Sequence, residues 1–296
     1  MKTLDKVLDG LMSRYQERVP DVLKISNALI ENKVIKAQKD IENDHIAFRT
    51  MGVKNLGIAS FEKIFLHYGY TKEDAYFFEK KKLNAHWYKP PNDKYPRIFI
   101  SELMVDVFPE EIQEIIESYT NEVTSDPVDG LNLDNADEVD TFLHSALWRV
   151  PTIEDYNKLM EISEYAAWVI YNRYYLNHYT ITVNSLAKGY NTLEEFNAFL
   201  ATINVKLSDA GGFIKKSPDG LLLQSATISQ LCEATFANGI RKEIAGSYVE
   251  FAERKVLPEF KDLPLDKIER KHRREGFEAA NADKIFESTF SSQTNK

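Results

Sequence analysis

Apolar residues recur at helical spacing through the first forty positions, as Leu4, Val7, Leu8 and Leu11 and then as Val22, Ile25, Leu29 and Ile30. That period predicts helices over 2–40, with a break and a fresh start at Pro20 and Asp21. The pattern then changes to alternation in DHIAFRT (44–50), which predicts a strand. Gly52 and Gly57 lead into SFEKIFLHYGY, an amphipathic helix opened by Ser60 and closed around Gly69. The aromatic runs AYFFEKKK and NAHWYKP, the turn PPNDKYP and the run RIFISELMV complete a strand–helix–strand–strand–strand order.

From 108 to 176 the period is helical again. FPEEIQEIIESYTNEV has Pro109 and two glutamates in its first turn. The acidic stretch DPVDGLNLDNADEVD reads as an exposed connection. TIEDYNKLMEISEYAAWVIYNRYY reads as one long buried helix starting at Thr152. At 177 the strand pattern returns in NHYTITVN, followed by a helix capped at Thr192, a hairpin turning at Pro218–Gly220 and a closing strand, GSYVEFAER.

The chain therefore reads as two copies of one unit, with DHIAFRT matching NHYTITV and RIFISEL matching SYVEFAE. The predicted architecture is α+β: two β-α-β-β-β modules, residues 41–107 and 177–254, forming an incomplete barrel around a shared cleft. Helices over 1–40, a helical insert over 108–176 and a C-terminal segment over 255–296 are added to it. Because the modules share one cleft, residues 1–296 are treated as one functional unit.

That order puts scarce chemistry at matched places. His45 and His178 open the two equivalent strands, and Glu102 and Glu250 sit roughly equivalently on the two closing strands. Alternation places His45, Ala47 and Arg49 on one face, His178, Thr180 and Thr182 on another, and Tyr248 with Glu250 on a third. If those faces meet, two imidazoles and a carboxylate converge, a set that suits non-haem Fe(II) and leaves positions open for substrate and O2. Arg49 lies within reach of a carboxylate bound there, and its planar fork suits bidentate recognition. Glu102 is placed behind the ligands as a supporting residue. A single histidine in an aromatic strand more often packs in a core, but two at matched positions weigh against that. Glu250, between Val249 and Phe251, needs a partner or a metal if it faces inward. His67, His86 and His272 read as packing or surface residues, and His144 as a candidate neighbour of the site.

Composition narrows the classes. The 37 Lys and Arg against 46 Asp and Glu leave a net charge of -9, which disfavours a nucleic-acid partner. One cysteine, Cys232, excludes a disulfide framework and a thiolate zinc cage. The sequence has no apolar run long enough to cross a membrane, and the charged N-terminal stretch lacks a signal core, so a cytoplasmic protein is expected. Neither a phosphate loop nor a dinucleotide fingerprint is present.

Together DHIAFRT, LNAHWYKPP, YPRIFISEL, LWRVPT, SEYAAWV, NHYT, YVEFAER and REGFEAANADKIFEST resemble the 2-oxoadipate dioxygenase/decarboxylase family. Its members are also described as 2-hydroxyglutarate synthases and are related to the vicinal oxygen chelate superfamily. The resemblance implies Fe(II) held by His45, His178 and Glu250, with Arg49 binding substrate. It implies a small 2-oxo dicarboxylate and O2 as the partners, and conversion of 2-oxoadipate to 2-hydroxyglutarate and CO2. Better understood members are longer, so the metal chemistry carries over further than the identity of the 2-oxo acid. Two other classes stay open: a non-redox isomerase, lyase or hydrolase using Zn, Ni or Mn, favoured if Glu102 is a fourth ligand, and a binding module that holds an acidic metabolite at Arg49.

Overall fold

The computed structural model describes residues 2–296. Two helices come first, α1 (Thr3–Arg18) and α2 (Pro20–Glu31). Pro20 can start α2 because its missing N–H falls where an amide would have no helical partner. α1 buries the stripe Leu4, Val7, Leu11 and Tyr15, and the Tyr15 hydroxyl donates to the Tyr248 carbonyl of the sheet.

The first module holds β1 (Asn43–Gly52), α3 (Ile58–His67), β2 (Thr71–Phe78), β3 (Leu83–Lys89) and β4 (Arg97–Met104). α3 begins at Ile58, two residues before Ser60. Gly57 turns the chain at φ 81°, and a carboxylate from β4, Glu102, accepts the Ile58 N–H at 2.9 Å, where a negative charge suits the helix N-terminus.

The insert contains α4 (Glu110–Thr120), α5 (Ala136–Leu143), α6 (Ile153–Ile162) and α7 (Glu164–Asn172). The single long helix expected from Thr152 is two. Thr152 caps α6 through the Asp155 N–H (3.2 Å), but Ser163 leaves helical geometry and its hydroxyl accepts the Ala166 N–H at 3.2 Å. A side chain that offers the backbone this alternative starts a new helix at a new angle.

The second module holds β5 (His178–Thr182), α8 (Leu193–Thr202), β6 (Lys215–Lys216) and β7 (Leu222–Ala226). It continues through β8 (Leu231–Thr235) and β9 (Arg241–Ala245) to β10 (Tyr248–Arg254). β8 and β9 form a separate two-stranded sheet that the sequence reading passed over, although Asn238–Gly239 is a strong hairpin signal. After β10, three short 3-10 turns lead to α9 (Ala279–Phe286) and α10 (Ser291–Thr294).

The eight remaining strands form one curled sheet in the order β2-β3-β4-β1-β5-β10-β7-β6. Each half runs outward from its opening strand: β1 pairs in parallel with β4, β5 in parallel with β10, and β1 meets β5 antiparallel at the centre. This is the α+β, paired-module architecture expected, with helices added at both ends and between the modules. Phe61 of α3 packs on Phe48 (4.7 Å between ring centres), Tyr15 of α1 on Tyr179 (5.3 Å) and Phe196 of α8 on Phe251 (5.1 Å). These contacts cover the outer face and leave the concave face for the site. Among the described residues no helix is long and apolar enough to cross a membrane.

Register corrects one expectation. His45 is opposite Arg97 on β4, and His178 is opposite Tyr248 on β10. Glu250 lies two residues past Tyr248, so its counterpart is Phe99, two past Arg97. Glu102 is five past Arg97, and the odd count turns it to the outer face.

Candidate metal centre

β1, β5 and β10 are neighbours in the sheet, and each contributes one side chain to the same point on the concave face. The His178 Nε2 lies 3.1 Å from Glu250 Oε2, the His45 Nε2 lies 3.5 Å from it, and the two Nε2 atoms are 3.4 Å apart. All three residues are buried, with 2%, 6% and 1% of His45, His178 and Glu250 exposed.

Each imidazole is oriented by the residue before it. His45 Nδ1 is 2.8 Å from Asp44 Oδ1, and His178 Nδ1 is 3.0 Å from Asn177 Oδ1. Both partners are acceptors, so each ring donates its Nδ1–H and turns the Nε2 lone pair inward. The Thr180 hydroxyl lies 3.0 Å from His45 Nε2. Glu250 Oε1 accepts from Gln224 Nε2 at 2.7 Å, and Asn281 in turn donates to Gln224 Oε1 at 3.0 Å. That support leaves Oε2 facing the imidazoles.

Electrostatics separate the two histidines. Asp44 accepts from Arg254 Nε (2.5 Å) and Nη2 (2.9 Å) and from Arg97 Nη1 (3.2 Å). Burial opposes its charge, but the two guanidiniums hold its carboxyl well below the usual range. Burial would also lower the pKa of His45, yet Glu250 and Asp44 raise it above the ordinary value. His178 has neutral Asn177 instead of a carboxylate, and burial pushes it down despite Glu250. Glu250 itself is driven far below the usual carboxylate range, because the imidazoles outweigh its desolvation.

Two inward imidazole nitrogens and a carboxylate oxygen make a buried, acceptor-rich point, with all three atoms within 4.8 Å of one another. A divalent cation satisfies such a point, and two His with one carboxylate is the donor set of open-sided metal sites. His45, His178 and Glu250 thus fit a metal.

Arg49, 1% exposed, follows on the same face of β1. Its Nη1 donates to Thr289 Oγ1 (2.9 Å) and its Nη2 to the Phe286 carbonyl (3.1 Å). Its guanidinium lies beside the Tyr248 hydroxyl, and among the described residues neither its Nε–H nor that hydroxyl has a well-aligned hydrogen-bond partner. Tyr165, Trp168 and Phe286 pack around the guanidinium at 5.1–5.6 Å.

The family model of the 2-oxoadipate dioxygenase/decarboxylases matches residues 7–263 of this chain. The chain belongs to the 2-oxoadipate dioxygenase/decarboxylase family. A chloroplastic 2-oxoadipate dioxygenase/decarboxylase of Arabidopsis thaliana is 42% identical over 264 residues, covering 86% of this chain and 69% of that protein. The crystal structure of the hydroxyglutarate synthase of Oryza sativa in complex with 2-oxoadipate is 40% identical. It superposes with a TM-score of 0.88 over 98% of this chain and 93% of that one. A Ralstonia eutropha structure described within the glyoxalase superfamily is 19% identical, with a TM-score of 0.67 over 91% of this chain and 83% of that one, and shares the fold.

In this member of the dioxygenase/decarboxylase family, the C-terminal segment closes the site. Phe277, Ile285 and Phe286 roof a cavity of about 20 Å³ whose floor includes His45, His178, Glu250, Arg49 and Phe99, room for about one water molecule. The expected supporting residue Glu102 is elsewhere, at the start of α3. His144 is also outside: it ends α5 with its Nδ1 2.8 Å from the Asp140 carbonyl. The sequence reading missed Asp44, Asn177 and Gln224. The first two carried a signal, since each histidine at a matched position is preceded by an acceptor side chain. Gln224 had none.

Proposed function

We propose that this chain is an Fe(II)-dependent dioxygenase and decarboxylase that converts 2-oxoadipate and O2 to 2-hydroxyglutarate and CO2. His45, His178 and Glu250 hold the iron, and Arg49 binds a substrate carboxylate. Family membership supports the reaction class, and the bound 2-oxoadipate of the rice hydroxyglutarate synthase supports the substrate. Bound by this set, Fe(II) would supply a redox centre with positions left for a 2-oxo acid and for O2.

The protein's own residues do the rest. Asp44 and Asn177 hold the imidazoles in one tautomer, and Gln224 fixes the rotation of the Glu250 carboxylate. Arg49 presents its guanidinium where little water competes, so its attraction for a carboxylate is stronger than at the surface. Its contacts to Thr289 and Phe286 must be exchanged or shared when a substrate carboxylate arrives. Tyr248 places its hydroxyl beside it. Phe99, Phe277 and Phe286 keep bulk water from the reacting atoms.

The observation that carries this reading is the convergence of His45, His178 and Glu250 on one buried face beside Arg49. The test is anaerobic loading with Fe(II), then O2 uptake and CO2 release with 2-oxoadipate. Coupled uptake and release are expected; iron-loaded protein that consumes no O2 with any 2-oxo diacid contradicts it. The non-redox alternative leaned on Glu102 as a fourth ligand, and with Glu102 on the outer face it has no supporting observation.

A further inference from the structure

Asp44 has a second side, facing away from His45. A separate cavity of about 230 Å³ lies there, walled by Arg97, Arg254, Arg270, Arg273, Glu42 and Thr182 among others. Arg97 and Arg254 are neutralised within the protein: both bind Asp44, and Arg97 also binds Glu275. Arg270 and Arg273 are not. Their hydrogen bonds go to backbone carbonyls, Arg270 Nη1 to Tyr95 (2.8 Å) and Arg273 Nη1 to Arg254 (2.8 Å), and neither forms an ion pair among the described residues.

Among the described residues two polar atoms on this wall are buried without partners, Arg270 Nη2 and Thr182 Oγ1, and Thr182 is only 4% exposed. Buried donors are ordinarily satisfied, so each such group calls for an explanation. The carboxylates nearby do not supply one. Glu269 pairs with Lys271 at 2.6 Å, Glu275 with Arg97, and Glu253 accepts the Leu193 N–H at 2.9 Å. Glu42 faces Arg270 and Arg273 but forms no ion pair with either.

We propose that this cavity binds a small oxyanion, a phosphate or carboxylate group, between Arg270, Arg273 and the Thr182 hydroxyl. Planar guanidiniums bind such groups through paired N–H bonds, and the hydroxyl adds a rotatable donor. The site is local: the chain as a whole carries -9, whereas here four guanidiniums line the cavity with the three carboxylates Asp44, Glu42 and Glu269, the last already paired with Lys271. The proposal is independent of the reaction assigned above.

The test is calorimetric titration of the metal-loaded full chain with inorganic phosphate and, separately, with glutarate, which lacks a 2-oxo group. A single binding event is expected for at least one probe, and which probe binds more tightly identifies the source of the oxyanion. Arg270→Gln and Arg273→Gln each weaken it about tenfold or more, Thr182→Val weakens it several-fold, and Arg49→Gln leaves it unchanged. Thr182→Val removes a partnerless buried hydroxyl, so it is expected to fold with an unchanged or raised midpoint and remains informative if an arginine variant does not. Failure of both probes at millimolar concentration overturns the proposal. So does binding that survives the Arg270→Gln, Arg273→Gln double variant, or binding that disappears in Arg49→Gln.

Discussion

The two modules place a histidine at the same step of the same strand, with an acceptor side chain just before it, yet their surroundings differ. In the first module the acceptor is Asp44, ionised and gripped by Arg254 and Arg97, and the position that would hold a carboxylate is Phe99. In the second the acceptor is neutral Asn177, and the carboxylate is present as Glu250. The negative charges thus lie on opposite sides of the pair: one behind His45, one between both rings. A repeated backbone supplies the geometry, and divergence at two side-chain positions supplies a one-sided, buried anion beside two imidazoles.

The largest effect comes from removing that anion. Glu250→Ala is expected to abolish metal retention and lower turnover by well over a hundredfold, since even residues behind the ligands cost 10–100-fold; metal content and initial rates read it. Next is Arg49→Gln, which keeps the metal but loses the paired N–H donors. The KM for the 2-oxo acid should rise by about two orders of magnitude, with iron content unchanged.

Altering the two acceptors one at a time tests the comparison itself. Asp44→Asn leaves Arg254 and Arg97 buried with their shared charge removed, which should cost about 3–5 kcal/mol of stability and 10–100-fold in metal affinity. Asn177→Ala frees one ring and should cost about tenfold in metal affinity with little loss of stability. Equal effects from the two would show that the charge behind His45 does not matter.

The same asymmetry has a pH signature in metal-free protein. His45, raised, contributes stability present below about pH 6.5 and lost as pH rises through its folded pKa. His178, lowered, acts oppositely: it is bound neutral, and stability falls as pH drops below about 6.5. Asp44 and Glu250, both depressed, contribute stability that persists until pH falls below about 4 and through their folded values. Imidazole NMR titration should therefore find the two rings on opposite sides of the ordinary value, and titration at a common value would remove the distinction. The smallest effect is at Glu102. Glu102→Gln should cost about 0.5–1 kcal/mol through the α3 N-terminus, with rates unaltered.

Much of this was legible along the chain because strands carry their faces in alternation. DHIAFRT and NHYTITV announced two equivalent strands, and counting by twos put His45 with Arg49 and Tyr248 with Glu250. The same counting fails without register. Glu102 looked equivalent to Glu250 in a linear match, but only the pairing of His45 with Arg97 shows that it lies an odd number of steps away. Local competition hid the break at Ser163, where one hydroxyl ends a pattern that periodicity alone would continue. The roof over the site was not legible at all. Arg49 meets Thr289 from 240 residues away, and nothing local in REGFEAANADKIFEST marks a segment that folds back over a cleft.

The central claim is that two modules supply one metal between them, two ligands from the second and one from the first. Anomalous diffraction at the iron edge from Fe(II)-loaded crystals tests it most directly. The account predicts a single strong peak in contact with His45 Nε2, His178 Nε2 and the Glu250 carboxylate, absent in Glu250→Ala. A peak elsewhere, one that engages Glu102, or full iron occupancy in the Glu250→Ala variant would contradict it.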